Sequence, residues 1–148
     1  MMRRLRRLGR SEGGAAAVEF AAVLGPLLLL IFGVFEFGRL LWVREALQET
    51  AMAGARCMGM SASSCAASGA YNSSNTTSYL ETTAAGWGVT LAPSNLTLNN
   101  NATCGGVTAA KGFSSVTITY TFQSVIPTFI TSLSGGKTLT STACFPNY

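Results

Sequence analysis

Four cysteines and one glutamate inside an apolar stretch are the residues of this chain whose types and spacing bear on chemistry. The cysteines are Cys57, Cys65, Cys104 and Cys144. A thiol acts as nucleophile or metal ligand only with a base or further ligands in reach, and this sequence contains no His and no Asp. No C-x-x-C spacing occurs either, so neither a metal centre nor a catalytic residue is expected. The Glu residues offer no paired carboxylates, because only Glu81 falls in the C-terminal part while the others cluster toward the N-terminus. No Gly-rich loop follows a strand pattern, and no cofactor is expected. An even number of cysteines, all beyond the apolar stretch, reads as two disulfides in an oxidising compartment. Three connectivities are open. Cys57–Cys65 is favoured because it closes a short loop, and Cys104–Cys144 because a strand meander brings their segments to the same end of a sheet.

The glutamate is Glu19, in "GGAAAVEF" (13–20), directly before "FAAVLGPLLLLIFGVF" (20–35), which carries no charge. A carboxylate bordering lipid is costly and usually functional. Extended by Ala15–Val18 and by "FGRLLWV", the run is long enough to span a bilayer, which takes about 20 residues. Glu19 and the Glu36/Arg39 region then lie near the two interfaces, with Trp42 as an aromatic anchor. Arg3, Arg4, Arg6, Arg7 and Arg10 precede the run, placing the N-terminus in the cytoplasm by the positive-inside rule. They also account for the net charge of +4, so no basic face remains for nucleic acid, and none is expected as a partner. A cleaved secretory signal fits less well, because the nearest A-x-A pattern, Ala51-Met52-Ala53, lies past the charges of "EFGRLLWVRE". An uncleaved signal anchor carrying a periplasmic binding or adhesion module is the main alternative. A secreted protein that discards the helix is a third.

The elements that position these residues follow from periodicity. Val43, Leu47, Ala51, Gly54, Ala55 and Met58 recur at helical steps, so the helix is expected to continue from about Ala15 to Met58, roughly 65 Å at 1.5 Å per residue. Gly59 supplies a stop, and Gly25-Pro26 a weak point in the lipid half. Ser, Thr, Asn and Gly then dominate in a polar connector. Ser78 followed by Glu81 fits a capping box for a short helix near Tyr79–Ala85 ended by Gly86. Four N-x-S/T matches, at Asn72, Asn75, Asn95 and Asn101, read as products of this composition rather than as glycosylation sites. "SVTITYTFQSVI" alternates Val116, Ile118, Tyr120 and Phe122 with polar residues, a strand ended by Pro127. "KTLTSTACF", after the turn pair Gly135-Gly136, is a second strand and "NLTL" near Asn95–Leu98 a third. The expected fold is α+β: a long N-terminal helix, transmembrane in its first half, packed on a small antiparallel sheet of about three strands. The expected divisions are 1–14 as a basic cytoplasmic leader beginning at Met1 or Met2, 15–43 as the transmembrane helix, 44–59 as its periplasmic continuation, and 60–148 as connector and disulfide-linked β domain.

A basic leader ending in Gly, then small or apolar residues, then Glu and an aromatic before an apolar helix, resembles a type IV prepilin. The stretch "GGAAAVEFAAVLGPLLLLIFGVFEFGRLLWVREALQETAMAGAR" is more narrowly similar to the TadE/TadG-like minor pseudopilins of tight-adherence (Tad, Flp pilus) systems. The matching residues are Gly14 to Phe20, Pro26, and Val34, Glu36, Gly38 and Arg39 of the "V-x-E-x-G-R" exit. The resemblance implies a pilin-like fold, cleavage between Gly14 and Ala15 by prepilin peptidase, and assembly through Glu19 and Phe20. The implied partners are other pilins or pseudopilins, an inner-membrane assembly platform and the lipid bilayer. Cleavage after Gly14 makes Glu19 the fifth residue; after Gly13 it would be the sixth. A new ammonium at Ala15 then gives Glu19 a cationic partner, on its own helix or a neighbour's, which sets the axial register between subunits. The short chain favours the TadE-like over the TadG-like type. The implied location is the bacterial inner membrane, single-pass, with the C-terminal domain periplasmic, or incorporation into a pilus.

Overall fold

The computed structural model describes residues 12–107, 109–124 and 138–148, with side chains from Gly14 onward. Residues 1–11 of the expected leader, with its start at Met1 or Met2, Pro127 and the Gly135-Gly136 pair lie outside the described residues, and α1 begins at Glu12, within the expected leader. The chain divides into two units, Met1–Phe37 and Gly38–Tyr148. The described elements run in the order α1 (Glu12–Gly59), β1 (Ala66–Ala67), β2 (Ala70–Tyr71), α2 (Ser73–Gly86), a 3₁₀ turn (Pro93–Asn95), β3 (Leu96–Ala102), β4 (Phe113–Thr121) and β5 (Thr138–Pro146). The architecture is α+β with a long apolar helix, as the sequence pattern predicts.

In the first unit, α1 is assigned as continuous helix through Pro26. Its apolar residues point outward all round, from Val18 and Phe20 through Leu29 to Phe35. A helix apolar on every side has no polar face to give to water and calls for a lipid or protein surround.

In the second unit the same helix becomes one-sided. Ala46, Leu47, Ala51, Ala55 and Met58 are buried against Leu80 and Ala84 of α2, Val89 and Leu91, and Val116 and Ile118 of β4. The stripe read from the sequence is present and wider than expected. Thr50 also lies in it, fully buried, because its hydroxyl donates to the Ala46 carbonyl at 2.7 Å and so needs no water.

The connector is more ordered than its composition predicts. Ser68 and Gly69 both take positive φ (52° and 79°), turning β1 into β2 as a miniature hairpin. Helix α2 begins at Ser73, not near Tyr79, and its cap is Asn72 rather than Ser78. The Asn72 side chain accepts from the Asn75 amide at 2.9 Å. Ser78 is interior to the helix, its carbonyl taking the Thr82 hydroxyl at 2.8 Å. The longer helix is held by Thr76, Leu80 and Ala84, a buried row at four-residue spacing that begins with a polar residue. Thr76 tolerates burial because its hydroxyl donates to the Asn72 carbonyl at 2.8 Å.

The sheet is an antiparallel meander, β3–β4–β5. Val116 and Ile118 face the core, and Phe122 just beyond β4 is buried too, as the alternation predicts. Val116 pairs with Leu98 on one side and Ala143 on the other. Strand β3 starts after Asn95 and runs farther than expected, through Asn99–Asn101, because a register shift between Asn99 and Ala102 absorbs the turn-forming asparagines. The C-terminus closes the core. Asn147 Nδ2 donates to the carbonyls of Asn100 (2.8 Å) and Lys111 (3.0 Å), and the Tyr148 amide to that of Gly59 (3.0 Å).

The tightest approach between the helices is at Gly54. A β-carbon there would collide with the Leu80 Cδ2 methyl and stand 3.1 Å from its Cγ. Leu80 is fully buried, so its side chain must repack within the core to yield. Gly38, by contrast, has nothing within 4 Å of that position. Gly38→Ala is expected to gain up to ~1 kcal/mol of helix propensity. Gly54→Ala gains the same propensity but overpacks the core, with an expected net loss of about 1–2 kcal/mol. Thermal melts of the full chain in detergent should therefore shift in opposite directions for the two variants.

Candidate functional site

Two regions carry the residues of interest. The first is the start of α1, where Gly14, Ala15, Glu19 and Phe20 are all exposed, Phe20 by 67%. Ala15 and Glu19 are one helical turn apart, about 6 Å along the axis, which puts them on the same face. Their surroundings are open, so both are presented for contacts outside the chain. Helix α1 is long and apolar enough to cross a membrane. Glu36, of the "V-x-E-x-G-R" exit, differs from Glu19 in being buried, at 4% exposure.

The second region begins at Arg39. Its guanidinium lies 4.7 Å from the centre of the Phe122 ring and donates to the Gln123 carbonyl. One turn on, Trp42 meets Trp87 edge-on, with centroids 5.7 Å apart and planes at 63°. The Trp42 Nε1–H donates to the Trp87 carbonyl at 3.2 Å. The end of α2 explains why Trp87 is there. Gly88 takes φ +79°, and the amides of Gly88 and Val89 bond back to the carbonyls of Ala85 (2.9 Å) and Ala84 (3.0 Å). This Schellman closure needs a residue without a β-carbon at the left-handed position. It buries Val89 and leaves the Trp87 ring outside. The sequence pattern places Arg39 and Trp42 at an interface and gives Trp87 no role. Its signal was a lone tryptophan between two glycines at the end of a polar helix.

Both disulfides lie in the second unit. Cys57–Cys65 spans 8 positions at a Cα separation of 5.8 Å and ties the last turn of α1 to the segment entering β1. Cys104–Cys144 spans 40 positions at 6.4 Å and ties the loop after β3 to β5. The described residues contain no group of three or more His, Cys, Asp or Glu placed to hold a metal ion.

Comparison with known proteins bears on α1. A family model described as "TadE-like protein" matches residues 14–56. The matched segment holds Gly14, Ala15, Glu19, Phe20, Glu36 and Arg39, and it stops one residue before the first cysteine. No curated protein and no solved structure matches the chain. The N-terminal helix is thus similar to the TadE-like family over residues 14–56, under a third of the chain, which is consistent with a TadE/TadG-like protein.

The two disulfides differ in the loop each closes, and loop-closure entropy gives their ranking. Removing Cys104–Cys144 by serine substitution should cost about 4 kcal/mol and removing Cys57–Cys65 about 2.5 kcal/mol. Denaturant unfolding of the two double-serine variants should show the larger loss for the longer loop.

Proposed function

We propose that the protein is a TadE-like minor pilin or pseudopilin, a structural subunit of a Tad/Flp-type pilus assembly and secretion machine that supports pilus biogenesis and adherence. The observation that carries this reading is the TadE-like segment itself: a helix whose large apolar residues from Val18 to Phe35 are exposed, with Glu19 and Phe20 presented near its start. In this reading residues 1–14 are the leader, 15–43 span the inner membrane, 44–59 continue the helix outside it, and 60–148 form the periplasmic domain. The basic leader keeps the N-terminus cytoplasmic. Prepilin peptidase cuts between Gly14 and Ala15, removing the arginine cluster and leaving an ammonium four residues from Glu19. In a low-dielectric setting a carboxylate needs such a partner. Pairing Glu19 with the Ala15 terminus of its own or a neighbouring helix lets the apolar faces of other pilins or pseudopilins replace lipid at one register. The assembly platform of the inner membrane is the site where that exchange takes place. The role is structural, with no reaction of its own.

Intact mass and N-terminal peptide analysis of the protein extracted from its host membrane tests the reading. The mature terminus is expected at Ala15. A terminus at Met1 or Met2 would mean an uncleaved signal-anchored protein, and one beyond Val43 a secreted protein that has lost the helix. Gly14→Leu is expected to block maturation, giving a mass that retains the leader. Glu19→Gln is expected to be processed like the wild type while its recovery in assembled complexes falls by about tenfold or more, the scale of a lost low-dielectric ion pair. Normal recovery of that variant would remove the register role from Glu19.

A further inference from the structure

The pairing of Trp42 with Trp87 is not used by the assembly reading, and it has a direct physical consequence. We infer that Trp42, Trp87 and Arg39 form a docking surface that rests the C-terminal unit on the headgroup layer of the phospholipid bilayer. This inference builds on the membrane-spanning part of the proposed function. Trp42 and Trp87 are 56% and 39% exposed, although each buries one edge against the other. A tryptophan pair left half in the open is an apolar patch with N–H dipoles, the chemistry that settles at a membrane–water boundary.

Helix length places the patch. Phe20 to Phe37 covers about 27 Å at 1.5 Å per residue. That nearly matches the hydrocarbon core of about 30 Å. Trp42 lies five residues farther along the same helix, about 7–8 Å on, within the headgroup layer. Trp87 comes from a different element, yet its ring centre lies 5.7 Å from that of Trp42, so the two differ in depth by no more than that distance. Arg39 borders the same cleft, its guanidinium held at the Phe122 ring and the Gln123 carbonyl. The cleft itself is about 170 Å³, below the few hundred Å³ of a drug-sized ligand site. The Schellman turn at Gly88 and the Trp42–Trp87 hydrogen bond fix Trp87 before any lipid is met, so little ordering is needed on docking.

The chain contains two tryptophans, which makes the test direct. The full chain is placed in phospholipid nanodiscs with nitroxide-labelled lipids, the label at the headgroup or high on the acyl chain. Emission is followed for the wild type, Trp42→Phe (reporting Trp87) and Trp87→Phe (reporting Trp42). Trp87 is expected to lose about half its emission or more to the shallow labels, as an interfacial tryptophan does, and to be shielded from aqueous acrylamide. Quenching of Trp42 alone, with Trp87 open to acrylamide, would overturn the docking surface and leave the membrane span intact. If neither tryptophan responds to any lipid label, the span falls as well. The wild type guards against disturbance of the pair by substitution. Its loss must exceed the share carried by Trp42, and a plateau at that share also overturns the proposal.

Discussion

The close approach of α1 and α2 at Gly54 is the contact on which the C-terminal unit depends. Leu80 occupies the volume a side chain at Gly54 would take, and Ala51, Ala55 and Ala84 keep the neighbouring turns equally low. Small residues on a helix face let a second backbone come near enough for dispersion contacts to accumulate. With α2 seated there, Val89 and Leu91 continue the core toward β3, and the sheet covers the remaining side through Val116 and Ile118.

A core of this size needs help. The sheet has only three strands among the described residues, and a small domain buries a limited share of its surface. The additional constraints are covalent and polar. One disulfide closes the turn that follows α1; the other links the loop after β3 to the last strand across β4. The buried Ser114 hydroxyl lies between Asn100 (2.8 Å) and Asn147 (2.7 Å), so that burial of a polar group becomes a tie between β3, β4 and the C-terminus. Ser114, Thr50 and Thr76, which look like surface composition, are thereby part of the interior, with half-buried Asn100 and Asn147 at its edge.

Helix α1 changes its demands along its length. From Val18 to Phe35 its large apolar residues are exposed; from Leu40 onward one face is buried in a core and the other is exposed. The TadE-like match runs through that change and ends at Arg56, so the segment it covers includes both kinds of surface. Residues from Cys57 onward lie outside the match. The disulfides, the sheet and Trp87 are features of this chain's own C-terminal unit.

Much of this was legible in the sequence because it is local and periodic. The charge-free run from Phe20, the three- and four-residue stripe from Val43 to Met58, and the alternation of Val116, Ile118, Tyr120 and Phe122 each declare an element and its inward face. The cysteines declared two bridges, leaving the connectivity among three choices; the fold decides it by bringing the Cα atoms to 5.8 and 6.4 Å. Other features required the tertiary structure. The cap of α2 at Asn72, the burial of Thr50 and Thr76, and the run of β3 through three asparagines all set a polar residue where composition predicts turn or surface. The two threonines hold because each hydroxyl finds a carbonyl one turn back, and the asparagines because their side chains bond to nearby backbone or side-chain groups. The meeting of Trp42 and Trp87, 45 positions apart, has no local signature at all. The sequence by itself determined the elements and the helix that calls for an apolar surround. Only the tertiary structure decided which distant residues meet, because that depends on how closely two helices approach at a glycine, a distance no periodicity records.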